Sequence, residues 1–361
     1  MLDSFADSLS PTQWSTMTYS ILWSIGFLSA VAALLRQTSI VDGRSTRILA
    51  ILLCILAWLL LGQTPVGFGT ENDRENYVRV FLNIKENTNI QDTESYEWLF
   101  IYYNQLVGKF FGYEGFLSLT ALIYSLNYTI AAIRLSEKNS YWILLCAILS
   151  FGFISYNVNT LRSGMAISFL VLGVGMYPSL WKMLVCFFVA TGIHTSTIIP
   201  AILIVVCYFF NKPKICLIIW LLAIPISFLS GDLFNFLFAG WFDDERTSYL
   251  TTESAFYRAG FRIDFILYSA LAVVLGYFYI YRCNFKDRFY TTIYSSYLLT
   301  NVFWILVIRA SFSDRFAYLS WFLFPFILIY PLLKKEMFPI LKQNLWVALI
   351  LLGEIAFSYI F

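Results

Sequence analysis

Charge is scarce in this sequence: 13% of the 361 residues are Asp, Glu, Lys or Arg, about half the share of an ordinary globular chain. That is too little to coat a water-facing surface of this size, and a free-standing soluble domain is excluded. The net charge of +2 leaves no concentrated basic face, which argues against a nucleic-acid partner. Histidine occurs once, at His194, so no histidine-rich metal site exists. The six cysteines (Cys54, Cys146, Cys186, Cys207, Cys216, Cys283) follow no paired spacing, which argues against a disulfide framework or a zinc site. Met1 to Met17 contains Asp3 and Asp7 but no Lys or Arg, so no cleaved secretory signal is expected. The chain has no phosphate loop of the GxxxxGK type, no GxSxG elbow, no HExxH and no Asp-x-Asp pair. ATP and nucleotide-sugar chemistry are accordingly disfavoured, and neither a metal nor another cofactor is called for. No internal repeat is apparent.

What is present in excess is apolar sequence: 59% of residues are hydrophobic and the mean hydropathy is +0.71. The expected fold is all-α, a polytopic transmembrane bundle of about 10–12 helices forming a single integral membrane domain over residues 1–361. The candidate spans are Met17–Leu35, Ile48–Val66, Gly115–Ile133, Ser140–Tyr156, Ser163–Leu180, Met183–Phe210, Ile215–Gly240, Ile263–Tyr281, Tyr290–Ile308, Phe316–Leu333 and Leu345–Phe361. Arg36, Arg44, Arg47, Arg134, Lys138, Lys182, Lys212, Lys214, Arg282, Lys286, Arg288, Lys334, Lys335 and Lys342 mark one side, and basic short loops are cytoplasmic. Only four acids, Asp42, Glu137, Asp287 and Glu336, share that side. Both termini are therefore expected outside. The run Met183–Phe210 breaks the parity, because Lys182 and Lys212 both read as inner. With Gly192, His194, Thr195, Ser196, Thr197 and Pro200 in its middle, it is either two half-helices meeting at a polar break or one Pro-kinked helix.

The long outer connections, 67–111 and 241–262, should carry the chemistry. The first holds a candidate re-entrant helix, Trp98–Phe111. Arg74, Arg79 and Lys85 sit there among acids. More pointed are six outer arginines, Arg162, Arg246, Arg258, Arg262, Arg309 and Arg315, whose planar forks suit phosphate oxygens. Each alone is better explained by snorkelling or by pairing with Asp243, Asp244, Glu245, Asp264 or Asp314, Arg246 most clearly. Arg162, Arg309 and Arg315 as a group favour a diphosphate site, with Arg258 and Arg262 as further ligands. His194 is either a hydrogen-bonded structural group or a functional one, a base toward a sugar hydroxyl or a hydrogen-bond donor to a phosphate. Asp73, Tyr77 and Phe81 share a helical face. There Asp73 is an alternative base and Tyr77 a sugar contact, unless the helix is simply an interfacial one with aromatic anchors. Glu97 is a second sugar-binding carboxylate candidate.

The run Asn157-Val-Asn-Thr-Leu-Arg162-Ser-Gly-Met-Ala166 resembles the asparagine-to-arginine motif of the EpsG/Wzy-type polysaccharide polymerases, with Ser163 where that motif usually has glutamine. Ala190-Thr-Gly-Ile-His194-Thr-Ser196 resembles the family's histidine segment, and Asp73, Tyr77 and Phe81 its early acidic-aromatic motif. Gly260–Phe265, and Asn301 through Arg309 to Arg315, Tyr318 and Trp321, resemble the C-terminal half of O-antigen polymerases; Asp314 stands where an amide is usual. The resemblance covers about residues 45 to 335. It implies a GT-C-like membrane glycosyltransferase of the bacterial inner membrane, independent of metal and nucleotide, that joins undecaprenyl-diphosphate-linked repeat units into O-antigen or capsular polysaccharide at the periplasmic face. Arg162 and His194 or Asp73 would be catalytic, Arg258, Arg262, Arg309 and Arg315 would hold diphosphate with Arg162, and Tyr77, Glu97 and Tyr318 would meet sugar. A chain-length regulator and a flippase are the implied partners, beside membrane lipid. The rival readings are an O-antigen ligase and a non-enzymatic flippase or transporter.

Overall fold

The computed structural model describes residues 9–67, 73–88, 96–230, 233–234, 237, 260–310 and 313–360. Arg246, Arg258, the acids at 243–245 and most of the 241–262 connection lie outside them, as do 68–72 and 89–95 of the first connection and the side chain of Asp314. Every regular element among the described residues is helical. Lipid offers no hydrogen-bond partner to the backbone, and a helix satisfies its own N–H and C=O groups. Among the described residues six helical runs are long and apolar enough to cross a membrane, Pro11–Leu34, Tyr113–Leu135, Pro213–Ser230, Ile263–Arg282, Arg315–Lys334 and Ile340–Ile360, with shorter apolar helices beside them. The protein is an all-α multi-pass membrane bundle.

The chain forms two compact units, Met1–Thr197 with Leu332–Phe361, and Ile198–Pro331. The first contains α1 (Pro11–Leu34), α2 (Arg47–Gly62), α3 (Asp73–Glu86), α4 (Trp98–Gly108), α5 (Tyr113–Leu135), α6 (Ser140–Leu149), α7 (Phe153–Val158), α8 (Leu161–Gly175) and α9 (Leu180–Ile193), followed by one 3-10 turn at Thr195–Thr197. The second contains α10 (Ile198–Phe209), α11 (Pro213–Ser230), α12 (Ile263–Tyr277) continued by a π turn at Phe278–Arg282, α13 (Arg288–Leu306) and α14 (Ser313–Trp321). Helix α15 (Phe324–Lys334) ends in the first unit's returning segment, and α16 (Ile340–Ile360) completes that unit.

Helix α1 opens with a capping box. Ser10 Oγ accepts the Gln13 N–H at 3.2 Å, Gln13 Oε1 accepts the Ser10 N–H at 2.8 Å, and Pro11 stands where no N–H is needed. In α2 the bulky Ile48, Leu49, Ile51, Leu52 and Ile55 are exposed while Ala50, Leu53, Cys54 and Ala57 are buried. Putting the larger side chains outside is sensible only where the solvent is hydrocarbon, since small residues then let helices approach. The same device joins α8 to α5: a Cβ on Gly175 would lie 2.6 Å from the Ala131 Cα.

The expected span Phe316–Leu333 turns at Phe322–Leu323 between α14 and α15, and two others are interrupted more sharply. Ser140–Tyr156 is not one helix: Ser150 is extended (φ −65°, ψ 146°), and α7 starts afresh after Gly152. The run Met183–Phe210 is not one kinked helix either, because His194 is extended (φ −152°, ψ 108°) between α9 and the 3-10 turn. Pro200 falls in the first turn of α10, where a missing N–H costs nothing. The polar-break alternative is the observed one.

Helix α4 ends at Gly108 rather than Phe111. Its 11 residues span only about 16 Å, against about 30 Å of hydrocarbon, so it does not cross. Helices α3 and α4 instead pack as a pair onto α5, α8 and α9. Val78, Phe81, Phe100, Val107, Phe116, Leu161, Met165 and Ile193 form one buried cluster, within which Phe81 stacks on Phe116 at 4.8 Å between centroids. This cluster is the floor on which the first unit's polar groups are set.

Candidate functional site

Glu97 occupies the N-cap of α4 with extended backbone, yet its side chain caps nothing in its own helix. It turns instead toward two other segments. Its Oε2 accepts from Arg162 Nη1 at 2.9 Å, and its Oε1 lies 3.1 Å from His194 Nδ1 and accepts the Thr195 N–H at 2.7 Å. One carboxylate thus gathers the first turn of α8 and the break after α9. The side chains of Glu97, Arg162 and His194 are only 12%, 13% and 7% exposed, so water screens their charges little.

The local chain explains each placement. The break at His194 lifts Thr195 out of the α9 hydrogen-bond ladder, and its N–H would otherwise be an orphan. Arg162 is presented at the start of α8 by a tight turn from α7: a Cβ on Gly164 would lie 2.1 Å from the Tyr156 carbonyl oxygen, so only glycine allows this approach. The Arg162 guanidinium carbon lies 4.6 Å from the Tyr96 ring centroid, a cation–π contact that fixes its plane. Tyr96 stacks on Phe100 at 5.7 Å, and Phe100 meets Tyr77 edge-on at 6.1 Å. An aromatic path therefore leads from Arg162 to α3, where Asp73 is half-buried in the first turn. Phe81, on the same face, is consumed by the core at 0% exposure.

Burial alone would raise the Glu97 carboxyl. The hydrogen bond from His194, the charges of His194 and Arg162 and the Thr195 N–H outweigh it and hold the group at about 2. Glu97 is thus held as an anion, with Arg162 paired to it. Arg74, expected among acids, is instead buried at 3% exposure with Nη2 3.4 Å from the Leu61 carbonyl, and burial pulls its guanidinium down to about 9. Arg79 pairs with Glu75 at 2.7 Å, and Lys85 donates to the Phe111 carbonyl.

In the second unit the arginines have other company. Arg262 grips Asp264 through Nη2 at 2.7 Å and Nε at 2.9 Å, and lies 3.6 Å from the centre of the Phe265 ring. Arg309 Nη2 is 3.4 Å from the Phe228 carbonyl, with its guanidinium 6.0 Å from the Phe261 ring. Arg315 stands half-exposed in the first turn of α14, and Tyr318, one turn on, is buried 5.5 Å from Trp321. Asn301 is the centre of a buried network. It accepts from Trp220 Nε1 at 2.7 Å and donates to Ser269 and Ser320, while Trp321 Nε1 donates to Ser269 at 2.8 Å. These bonds tie α11, α12, α13 and α14 together, so this motif residue builds scaffold.

Of the expected site residues, then, Arg162, His194 and Glu97 converge, with Tyr77 and Asp73 along the adjoining α3. Two participants had no sequence signal: Tyr96, one tyrosine among 24, and the backbone N–H of Thr195.

No curated protein and no solved structure matches this chain. A family model does, over residues 47–361, which takes in every helix after the first and both interrupted segments at the site. A multi-pass membrane protein matched over that extent, through the turn that presents Arg162 and the break that presents His194, belongs to the EpsG family.

Proposed function

We propose that this protein polymerises undecaprenyl-diphosphate-linked oligosaccharide repeat units into O-antigen or capsular polysaccharide, working at the periplasmic face of the bacterial inner membrane with both termini on that side. Family membership supports a polysaccharide-polymerase character. The observation that carries the chemistry is the meeting of Arg162 and His194 on Glu97, a permanent cation and a proton acceptor held side by side.

The reaction is a displacement at the anomeric carbon of the growing glycan. The acceptor hydroxyl oxygen of an incoming lipid-linked unit forms the new bond to that carbon. The carbon–oxygen bond to the diphosphate breaks, and its electron pair leaves on the diphosphate. The hydroxyl proton passes to His194. Asp73, the alternative base, stands on α3, which the Tyr96, Phe100 and Tyr77 rings link to Arg162, and serves the acceptor sugar together with Tyr77. Arg162 stabilises the charge that develops on the departing diphosphate, and such preorganised stabilisation is usually the largest catalytic contribution. The planar fork of Arg162 suits phosphate oxygens. Arg309 and Arg315, with Arg258, are the second unit's candidate diphosphate ligands; Arg262 is the weakest of the set because Asp264 already holds it, and Tyr318 is the candidate sugar contact. Since the lipid diphosphate brings its own activated bond, the scheme calls for neither a metal nor a nucleotide. A chain-length regulator and a flippase are the proposed partners.

The test is purified protein with synthetic undecaprenyl-diphosphate repeat units, with and without chelator, read on a gel. A ladder that persists in chelator is expected. Transfer of preformed polymer to a lipid A-core acceptor without any ladder would identify a ligase instead, and lipid-linked units trapped on the cytoplasmic face of a knockout would identify a flippase.

A further inference from the structure

We infer that Glu97 is a positioning residue for the proposed transfer, holding the His194 ring so that Nε2 is the nitrogen that exchanges a proton with the acceptor sugar. This rests on the reading of His194 as the base, and it replaces the expectation of Glu97 as a sugar contact.

The geometry is specific. Oε1 of Glu97 lies 3.1 Å from His194 Nδ1 while accepting the N–H of the next residue, Thr195, at 2.7 Å. Two bonds from adjacent residues fix where that oxygen sits. The other oxygen is tied to Arg162 Nη1 at 2.9 Å, so the carboxylate cannot rotate away without breaking a buried ion pair. A neutral imidazole has one N–H, and a carboxylate against Nδ1 selects the tautomer with the hydrogen there. The lone pair is then on Nε2. When Nε2 takes a proton, the resulting cation faces an anion already in place, so no charge has to be rearranged in a poorly screened site. Glu97 stays ionised because Arg162 is paired to its other oxygen, so the proton remains on the ring until solvent or product removes it. The extended backbone at His194 matters too, because it takes the ring out of the α9 stack and lets Nδ1 reach a residue from the preceding connection.

A purely structural role for Glu97, satisfying Thr195 and neutralising Arg162, predicts no influence on the imidazole itself. The two roles separate by experiment because His194 is the only histidine in the chain, so its ring signals need no assignment. Full-length protein carrying a tag without histidine, labelled with ¹⁵N-histidine and placed in lipid nanodiscs, is titrated by NMR. At neutral ring charge the wild type is expected to show a protonated Nδ1 and an unprotonated Nε2. In Glu97→Gln the preference is expected to weaken and the titration midpoint to fall by about one pH unit, because an anion beside an imidazole favours the charged ring. In the gel assay the acid limb of the rate profile should move the same way, with kcat down about 10-fold or more and KM for the lipid-linked unit little changed.

A wild-type ring protonated on Nε2 overturns the inference, and so does an unshifted midpoint in folded Glu97→Gln protein. The wild-type spectrum decides even where the variant does not fold. Expected spectra without any ladder would instead sink the polymerase reading and leave the placement of His194 standing.

Discussion

Arg162 and Arg262 are both arginines paired with a carboxylate and laid on an aromatic ring, yet their partners come from opposite distances. Arg262 takes Asp264, two residues away at the start of the same helix, and Phe265 beside it. Arg162 takes Glu97, 65 residues back, and shares it with His194, 97 residues on from that carboxylate. A pair two residues apart forms wherever the local sequence allows, and it needs little from the fold. A three-way contact between remote segments exists only if α4, α8 and the break after α9 are all in place. The long-range cluster is where the structure has been specified with care, and that is where chemistry is to be sought.

The largest effect that sharpens this contrast is expected at Arg162. Arg162→Ala should lower ladder formation by about 10²–10³-fold. Because removing one partner of a buried pair also destabilises, by about 3–5 kcal/mol, Arg162→Lys is the cleaner probe. It keeps the charge but loses the fork and the flat contact with Tyr96, and should still lose most of the rate at normal expression. Full activity in the lysine variant would break the comparison.

Next comes the turn that presents Arg162. Gly164→Ala puts a Cβ against the Tyr156 carbonyl at a distance no contact tolerates, so α7 and α8 must separate. A cost of about 1–3 kcal/mol is expected, visible as a lowered melting temperature of the purified protein together with reduced activity. An unchanged melt would show that the turn is less constrained than its geometry states.

The pH dependence is smaller and has a definite sign. The Glu97 carboxyl is depressed from 4.5 to about 2. Its contribution to stability is therefore complete above about pH 4.5 and is lost as pH falls toward 2. The hydrogen-exchange protection of residues 96–108, relative to the intrinsic rate at each pH, should fall through that window, and Glu97→Gln should abolish the fall. The smallest effect is expected at Arg262: its pair is local and partly exposed, so Arg262→Ala should cost about 1 kcal/mol and leave the ladder within about threefold. A loss there as large as that at Arg162 would erase the distinction between the two units.

Much of the bundle was legible from hydropathy alone, because a span of about 20 apolar residues is a local property. The heptapeptide from Gly192 to Ile198 also announced trouble in a helix, with glycine, histidine and three hydroxyl residues in succession. It did not say whether the chain would kink or break. That choice depended on whether a freed N–H would find an acceptor, and the acceptor is Glu97, 98 residues away. The same distance hid the rank of the carboxylates: the sequence put Asp73 ahead of Glu97, and only packing of the α3–α4 pair put Glu97 between Arg162 and His194.

The sequence by itself determined that this chain lives in lipid, that its backbone is helical, and that its few charges cluster into a handful of places, because hydropathy and helix periodicity act within one segment. Tertiary structure alone decided which charges meet, which arginine faces a remote partner and which a neighbour, and which nitrogen of a lone histidine is held. Those outcomes depend on contacts between segments that no local pattern encodes, and their cost in ordering is recovered only when the whole unit packs.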